Sequence, residues 1–298
     1  MHNKRINELA DKFLYSGRCL RAQTIFNHAE GDSHASTLDH PSLTDFNLLT
    51  SSMICFYLET MSLYSDVITK TSQQWHHVVV AKISSEFLSL RAAEKVARDG
   101  YPWLAVPMLR NSHDRVVILS SCLQEPENFP IAVGIAHGNR CPDRAKQMRK
   151  SYEQTTAARM TGRESGLSKE CRSYMQKVDR RYDEETHPAL LSFAQRITAW
   201  QSGGGLPVVP EFDPVGFAMF MTRHCEVSWM AHRILPAIQP RGSTLPDEWK
   251  DNWRAIDFAC QELVRVMRTP DGGDVGSLII EFVNKKFPFN ADTVCRTT

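Results

Sequence analysis

Thr244-Leu-Pro-Asp-Glu-Trp-Lys-Asp-Asn-Trp-Arg-Ala-Ile-Asp-Phe-Ala-Cys-Gln-Glu-Leu-Val-Arg-Val-Met-Arg268 decides the fold class. Trp249, Trp253, Ile256, Cys260, Leu263 and Met267 recur at steps of three and four, the spacing that lines one face of an α-helix. Thr244 is placed to cap the start. Asp247 and Glu248 lie at the positive end of the helix, Arg265 and Arg268 at the negative end. So amphipathic a helix requires an apolar surface to cover it, and the same period in the rest of the chain supplies one.

Towards the C-terminus the spacing predicts a shorter helix near Ser277 to Lys286. Upstream it predicts helices over about Asp213–Leu235, Pro102–Leu123, Gln73–Asp99 and Asp45–Lys70, the last with Thr44 as its cap. Gly100 and Pro102 mark one helix end and the next helix start. Ile6, Leu9, Ala10, Phe13 and Leu14 line a first helix, and the aperiodic residues 28–44, with Gly31 and Pro41, read as a loop. Long polar helices cover about Asp143 to Gln201, broken near Gly162 to Gly166. Gly203-Gly204-Gly205 is a hinge, and the prolines after it impose extended backbone. The expected fold is all-α, a multi-helix bundle of about nine helices with at most a minor extended segment near 206–212. One helical domain over 1–298, or two packed parts (1–123 and 143–298) joined by a linker at 124–142, fits a chain of 298 residues.

Eight cysteines without a CxxC pair argue against a zinc ribbon or a redox motif. Apolar runs such as Val78 to Ala81 fall far short of the roughly 20 residues that cross a bilayer. The N-terminus has no leader-type apolar run. The reading is a cytoplasmic protein with reduced thiols and no membrane contact. Phosphate loops, GxGxxG turns, GxSxG elbows and HExxH helices are all missing from the sequence, which argues against the enzyme classes they mark. No cofactor is expected. No metal is expected either: Glu184-x-x-His187 lacks a second copy, and His28, Glu30, Asp32, His34, Asp39 and His40 show no tetrahedral spacing.

The formal net charge of +1 conceals a strong asymmetry. Residues 140–181 hold 12 Lys/Arg against 5 Asp/Glu, whereas 1–139 hold 12 against 14 and 182–298 hold 11 against 15. Arg144, Arg149, Lys150, Arg159, Arg163, Lys169, Arg172, Lys177 and Arg180 form a track suited to neutralising phosphates, with Tyr152 and Tyr174 available for base stacking. The same track also fits a solvated face, or one docked on the acidic surface of a partner protein. Arg91, Glu94, Arg110 and Asp114, on otherwise apolar helices, read as an ion-pair network that fixes helix register or borders a small-molecule pocket. His224 and His232 share a helical face with Ser228 between them and read as interior groups.

Arg181-Tyr-Asp-Glu-Glu-Thr-His187 spaces an arginine and a histidine by five residues, and Arg180 gives a spacing of six. This segment, together with Ala105-Val-Pro-Met-Leu-Arg-Asn-Ser-His-Asp114, resembles the all-helical bacterial proteins of HEPN-like and abortive-infection type, over about residues 75–235. The resemblance implies an RNase in which Arg181 and His187 meet across a homodimer, hence a nucleic-acid-associated phage-defence component. The competing reading is a non-catalytic helical scaffold.

Overall fold

The computed structural model describes residues 17–68, 74–124, 150, 154, 156, 158–186, 210, 212–239, 244–268 and 273–292. Of these, 85% are helical and none lies in a strand, which makes the protein all-α. The helices are α1 Gly17–Asp39, α2 Thr44–Ile68, α3 Gln74–Arg98, α4 Pro102–Gln124, α5 Lys169–Thr186, α6 Pro214–Ile234, α7 Asp247–Arg265 and α8 Gly276–Lys286. Single 3₁₀ turns sit at Pro41–Leu43, Arg163–Ser165 and Leu235–Ile238. The predicted first helix, the segment 125–149 and the glycine hinge lie outside the described residues.

α6 runs through the centre. Every side chain from His224 to Met230 is buried, and the helix packs against α3, α4, α7 and α8. α4 pairs with α3 and α6, α7 lies across α2 and α6, and α5 is held by α4 and α8. The tryptophan stripe of α7 faces inward as expected, and each buried indole N–H has an acceptor, as a polar tip in an apolar core requires. Trp249 Nε1 donates to Thr60 Oγ1 at 2.8 Å, and Trp253 Nε1 to the His232 carbonyl at 3.1 Å. His232 returns the contact through Nε2 to the Trp253 carbonyl at 3.0 Å, its ring stacked on that of Trp253. At the end of the stripe Val264 is fully buried while Leu263 is only half-buried. There a step of four after Cys260, not three, follows the helix face.

Three sequence expectations need correction. Residues 28–39 belong to α1 and are not a loop, because polar side chains dock this helix on α3. Ser33 Oγ donates to the Arg98 carbonyl at 2.9 Å, and Thr37 Oγ1 accepts from Arg98 Nη1 at 3.2 Å. Thr44 does not cap α2: the 3₁₀ turn Pro41–Leu43 leads directly into the helix, and the Thr44 hydroxyl donates back to the Pro41 carbonyl at 3.0 Å. Nor does Thr244 cap α7, since the N-cap position falls on Pro246, which has no side chain able to accept.

The junction of α3 and α4 follows its sequence signal closely. Gly100 adopts φ 96°. Tyr101 N–H bonds the Val96 carbonyl and Gly100 N–H the Ala97 carbonyl, the paired closure that needs a left-handed residue after the helix. Pro102 then opens α4, which continues unbroken through Pro107. Gly100→Ala is expected to cost about 1–2 kcal/mol, read as a lower urea midpoint at unchanged slope.

Candidate functional site

Two features have the composition of a site: the basic segment and a cleft beside α6. Of the basic track, Arg144 and Arg149 lie outside the described residues. Lys150, Arg159, Arg163, Lys169 and Lys177 are exposed. Arg172 is half-buried and its Nη1 donates to the Leu167 carbonyl at 2.7 Å, so it closes the turn before α5. Tyr174 is engaged as well, with Arg223 over its ring and donating to its hydroxyl at 3.0 Å. Arg180 and Arg181 fall on the last turns of α5, and their side chains lie outside the described residues, as does His187.

The basic segment is fixed to the bundle by α8. Ser168 N and Oγ both donate to the Glu281 carboxylate, at 2.7 and 2.6 Å, while Ser168 Oγ accepts from Cys171 N and so caps α5. Lys285 Nζ donates to the Gly166 carbonyl at 2.6 Å and to Glu281 Oε1 at 3.0 Å, and Lys286 Nζ to the Arg159 carbonyl at 2.9 Å. The fold thereby sets two further cations against the segment. Burial lowers the pKa of Lys286, and the charges of Arg159 and Lys285 lower it further. Neither lysine is recognisable as part of this face from the sequence, because more than 100 positions separate them from it.

The cleft opens between α2, α3 and α6. Met53, Ile54, Phe56 and Tyr57 come from α2, Ile83, Phe87 and Leu90 from α3, and Ala231 and Leu235 from α6 and the turn after it. Tyr57 and Phe87 stack with centroids 3.7 Å apart, so the wall is flat and rigid. The walls share a period with the core faces of their helices, and only the geometry separates cleft from core.

Arg91, Glu94, His224, Ser228 and His232 supply most of the polar lining. Glu94 accepts from Arg91 Nη1 at 2.7 Å and from Arg98 Nε at 2.8 Å. Burial works against its charged form, but His224, Arg98 and the hydrogen bonds from both arginines outweigh it and hold the carboxyl below the ordinary range. Burial, with help from Arg98 and Arg91, pushes His224 down to about 4 against the pull of Glu94. Ser228 Oγ lies 3.3 Å from His224 Nδ1. Arg110 and Asp114, grouped with Arg91 and Glu94 by the sequence reading, form a separate contact of 3.4 Å on α4 and do not line the cleft. Of the potential metal ligands on α1, His34 Nδ1 bonds Asp99 and Glu30 accepts from the Tyr101 hydroxyl.

Comparison with family models, with curated proteins and with solved structures returned no match to this chain. Among the described residues no helix is long and apolar enough to cross a membrane.

Proposed function

We propose that the protein binds nucleic acid through the basic segment, in the manner of a HEPN-like RNase or defence component, with Arg181 and His187 as the cleaving pair across a homodimer. The observation that carries the binding reading is the set of cations on one face, Arg159, Arg163, Lys169 and Lys177 all exposed, with Lys285 and Lys286 held against them by hydrogen bonds to the Gly166 and Arg159 carbonyls. Cations gathered on one exposed face are the arrangement that a polyanion neutralises. Of these, Arg163, Lys169 and Lys177 have no ion-pair partner among the described residues and point to solvent. In the catalytic part of the reading, His187 takes the 2′-hydroxyl proton and Arg181 stabilises the charge on the pentavalent phosphate.

Fluorescence anisotropy with a labelled single-stranded RNA tests the binding. Log affinity is expected to fall linearly with log salt, and each reversed cation to reduce the slope by about 0.7. The double variant Arg163→Glu/Lys169→Glu is expected to bind about tenfold more weakly. An affinity indifferent to salt and to this variant would overturn the reading. RNA cleavage surviving His187→Ala, in a preparation free of host nuclease, would remove the catalytic part. Stoichiometric co-purification of an acidic protein without nucleic-acid absorbance would favour the scaffold instead.

A further inference from the structure

We propose that the cleft between α2, α3 and α6 is a binding site for a small amphipathic carboxylate, its charged end on Arg91 and its apolar body against Tyr57, Phe87 and Leu90. One carboxylate, Glu94, serves two arginines, Arg91 and Arg98, and both of its oxygens are taken. His224, beside it, is neutral near pH 7. The cluster therefore carries one positive charge that no described side chain balances.

That surplus sits on Arg91. Arg98 is almost fully buried, and its guanidinium is spent on Glu94 and on the Thr37 hydroxyl. Arg91 bonds Glu94 through Nη1 alone, its side chain is half exposed, and among the described residues nothing else engages it. Most of the donors of its planar fork are therefore available at the lip of the cleft, in the geometry that grips a carboxylate bidentately. Behind that lip the lining is overwhelmingly apolar, with a flat aromatic wall. An open, mostly apolar cleft with a half-exposed guanidinium in its lining is the form of a small-molecule site.

The two halves select the ligand together. A cation is rejected at Arg91, and a strongly hydrated dianion has no second counter-charge and no use for the apolar wall. A neutral hydrocarbon gains the wall but leaves the charge unbalanced. An anion of single charge with an unbranched or aromatic body satisfies both. This site is separate from the basic segment, and nothing in it depends on nucleic-acid binding.

Isothermal titration of the full chain with sodium octanoate, 1-octanol and octylammonium chloride decides the matter. Octanoate is expected to bind once per chain and to raise the melting temperature, octanol to bind at least about tenfold more weakly, and octylammonium not to bind. Arg91→Gln is expected to weaken octanoate by about tenfold or more and leave octanol unchanged. Because Arg91 is half exposed and Glu94 keeps Arg98, this variant folds, as circular dichroism would verify. Ala231→Phe, which fills the cleft and changes no charge, is expected to abolish binding of both. Octanoate and octanol binding alike, octanoate indifferent to Arg91→Gln, or none of the three binding at millimolar concentration would each overturn the proposal.

Discussion

Glu94→Gln is expected to destabilise the fold by about 3–5 kcal/mol, the cost of leaving a buried charge without its partner. Both Glu94 and Arg98 are nearly fully buried, and Arg98 does more than pair. Its guanidinium lies over the rings of Phe46 and Phe217, and its Nη1 holds Thr37 of α1. An amide at position 94 keeps the shape and part of the hydrogen bonding but removes the negative charge, so the loss reports electrostatics and not a cavity. The melting temperature is expected to fall by roughly 10 °C, taking about 2–4 °C per kcal/mol for a chain of this size class. A second substitution supplies the control. In Glu94→Gln/Arg98→Met the uncompensated charge is gone and a side chain of similar length covers Phe46, so much of the lost stability returns. If urea unfolding instead shows the double variant to be as unstable as the two single losses added together, the ion pair is not a coupled unit.

The same cluster explains what could be read in advance. Glycine and proline punctuation sets the junction of α3 and α4, since φ at Gly100 and the missing N–H of Pro102 are local demands. The tryptophan stripe of α7 is equally local, because a helix face is a property of spacing. Residues 28–39 are the opposite case: α1 docks through Ser33, His34 and Thr37, side chains that a hydropathy pattern counts as solvent-facing. Their burial depends on Arg98 and Asp99, which stand 61–65 positions away in the chain. The Arg91–Glu94 contact is visible as a helical pair, but the cleft beside it is made by three helices and has no linear signature. For the basic segment, local composition identifies the density of charge. It does not reveal that Arg172 and Tyr174 are spent on packing, or that Lys285 and Lys286 join the face.

Acidification from pH 7.5 to 5 is expected to destabilise the protein steeply, through His224 and His232. Burial pushes both down to about 4, from an ordinary value of 6.5. His224 faces Glu94, which draws its pKa up, and Arg98 and Arg91, which push it down. His232 faces Asp257, the Trp253 carbonyl and Arg233. In the unfolded chain each histidine takes up a proton near pH 6.5, whereas in the folded chain it stays neutral until about pH 4. The unfolded state therefore binds more protons throughout this window, and stability falls as the pH falls. The slope approaches about 1.4 kcal/mol per pH unit for each histidine, and the total for each is on the order of 3 kcal/mol once the pH nears 4. Glu94, held low, loses its stabilising contribution only as the pH falls from the ordinary carboxylate value downward, whereas Glu86, pushed up by burial, takes its proton earlier in the folded chain and offsets part of the histidine slope. Urea unfolding followed by tryptophan fluorescence at pH 7.5, 6 and 5 measures the slope. In His224→Gln one of the two protons is removed from the balance, so the slope is expected to fall by about half whatever the variant costs at pH 7.5. Stability that is level from pH 7.5 to 5 would mean that both rings take up their protons at the same pH in the folded and the unfolded chain. Below about pH 6.5 a protonated His224 would then add to the positive charge at the cleft, and the preference for a carboxylate at Arg91 would strengthen as the pH falls.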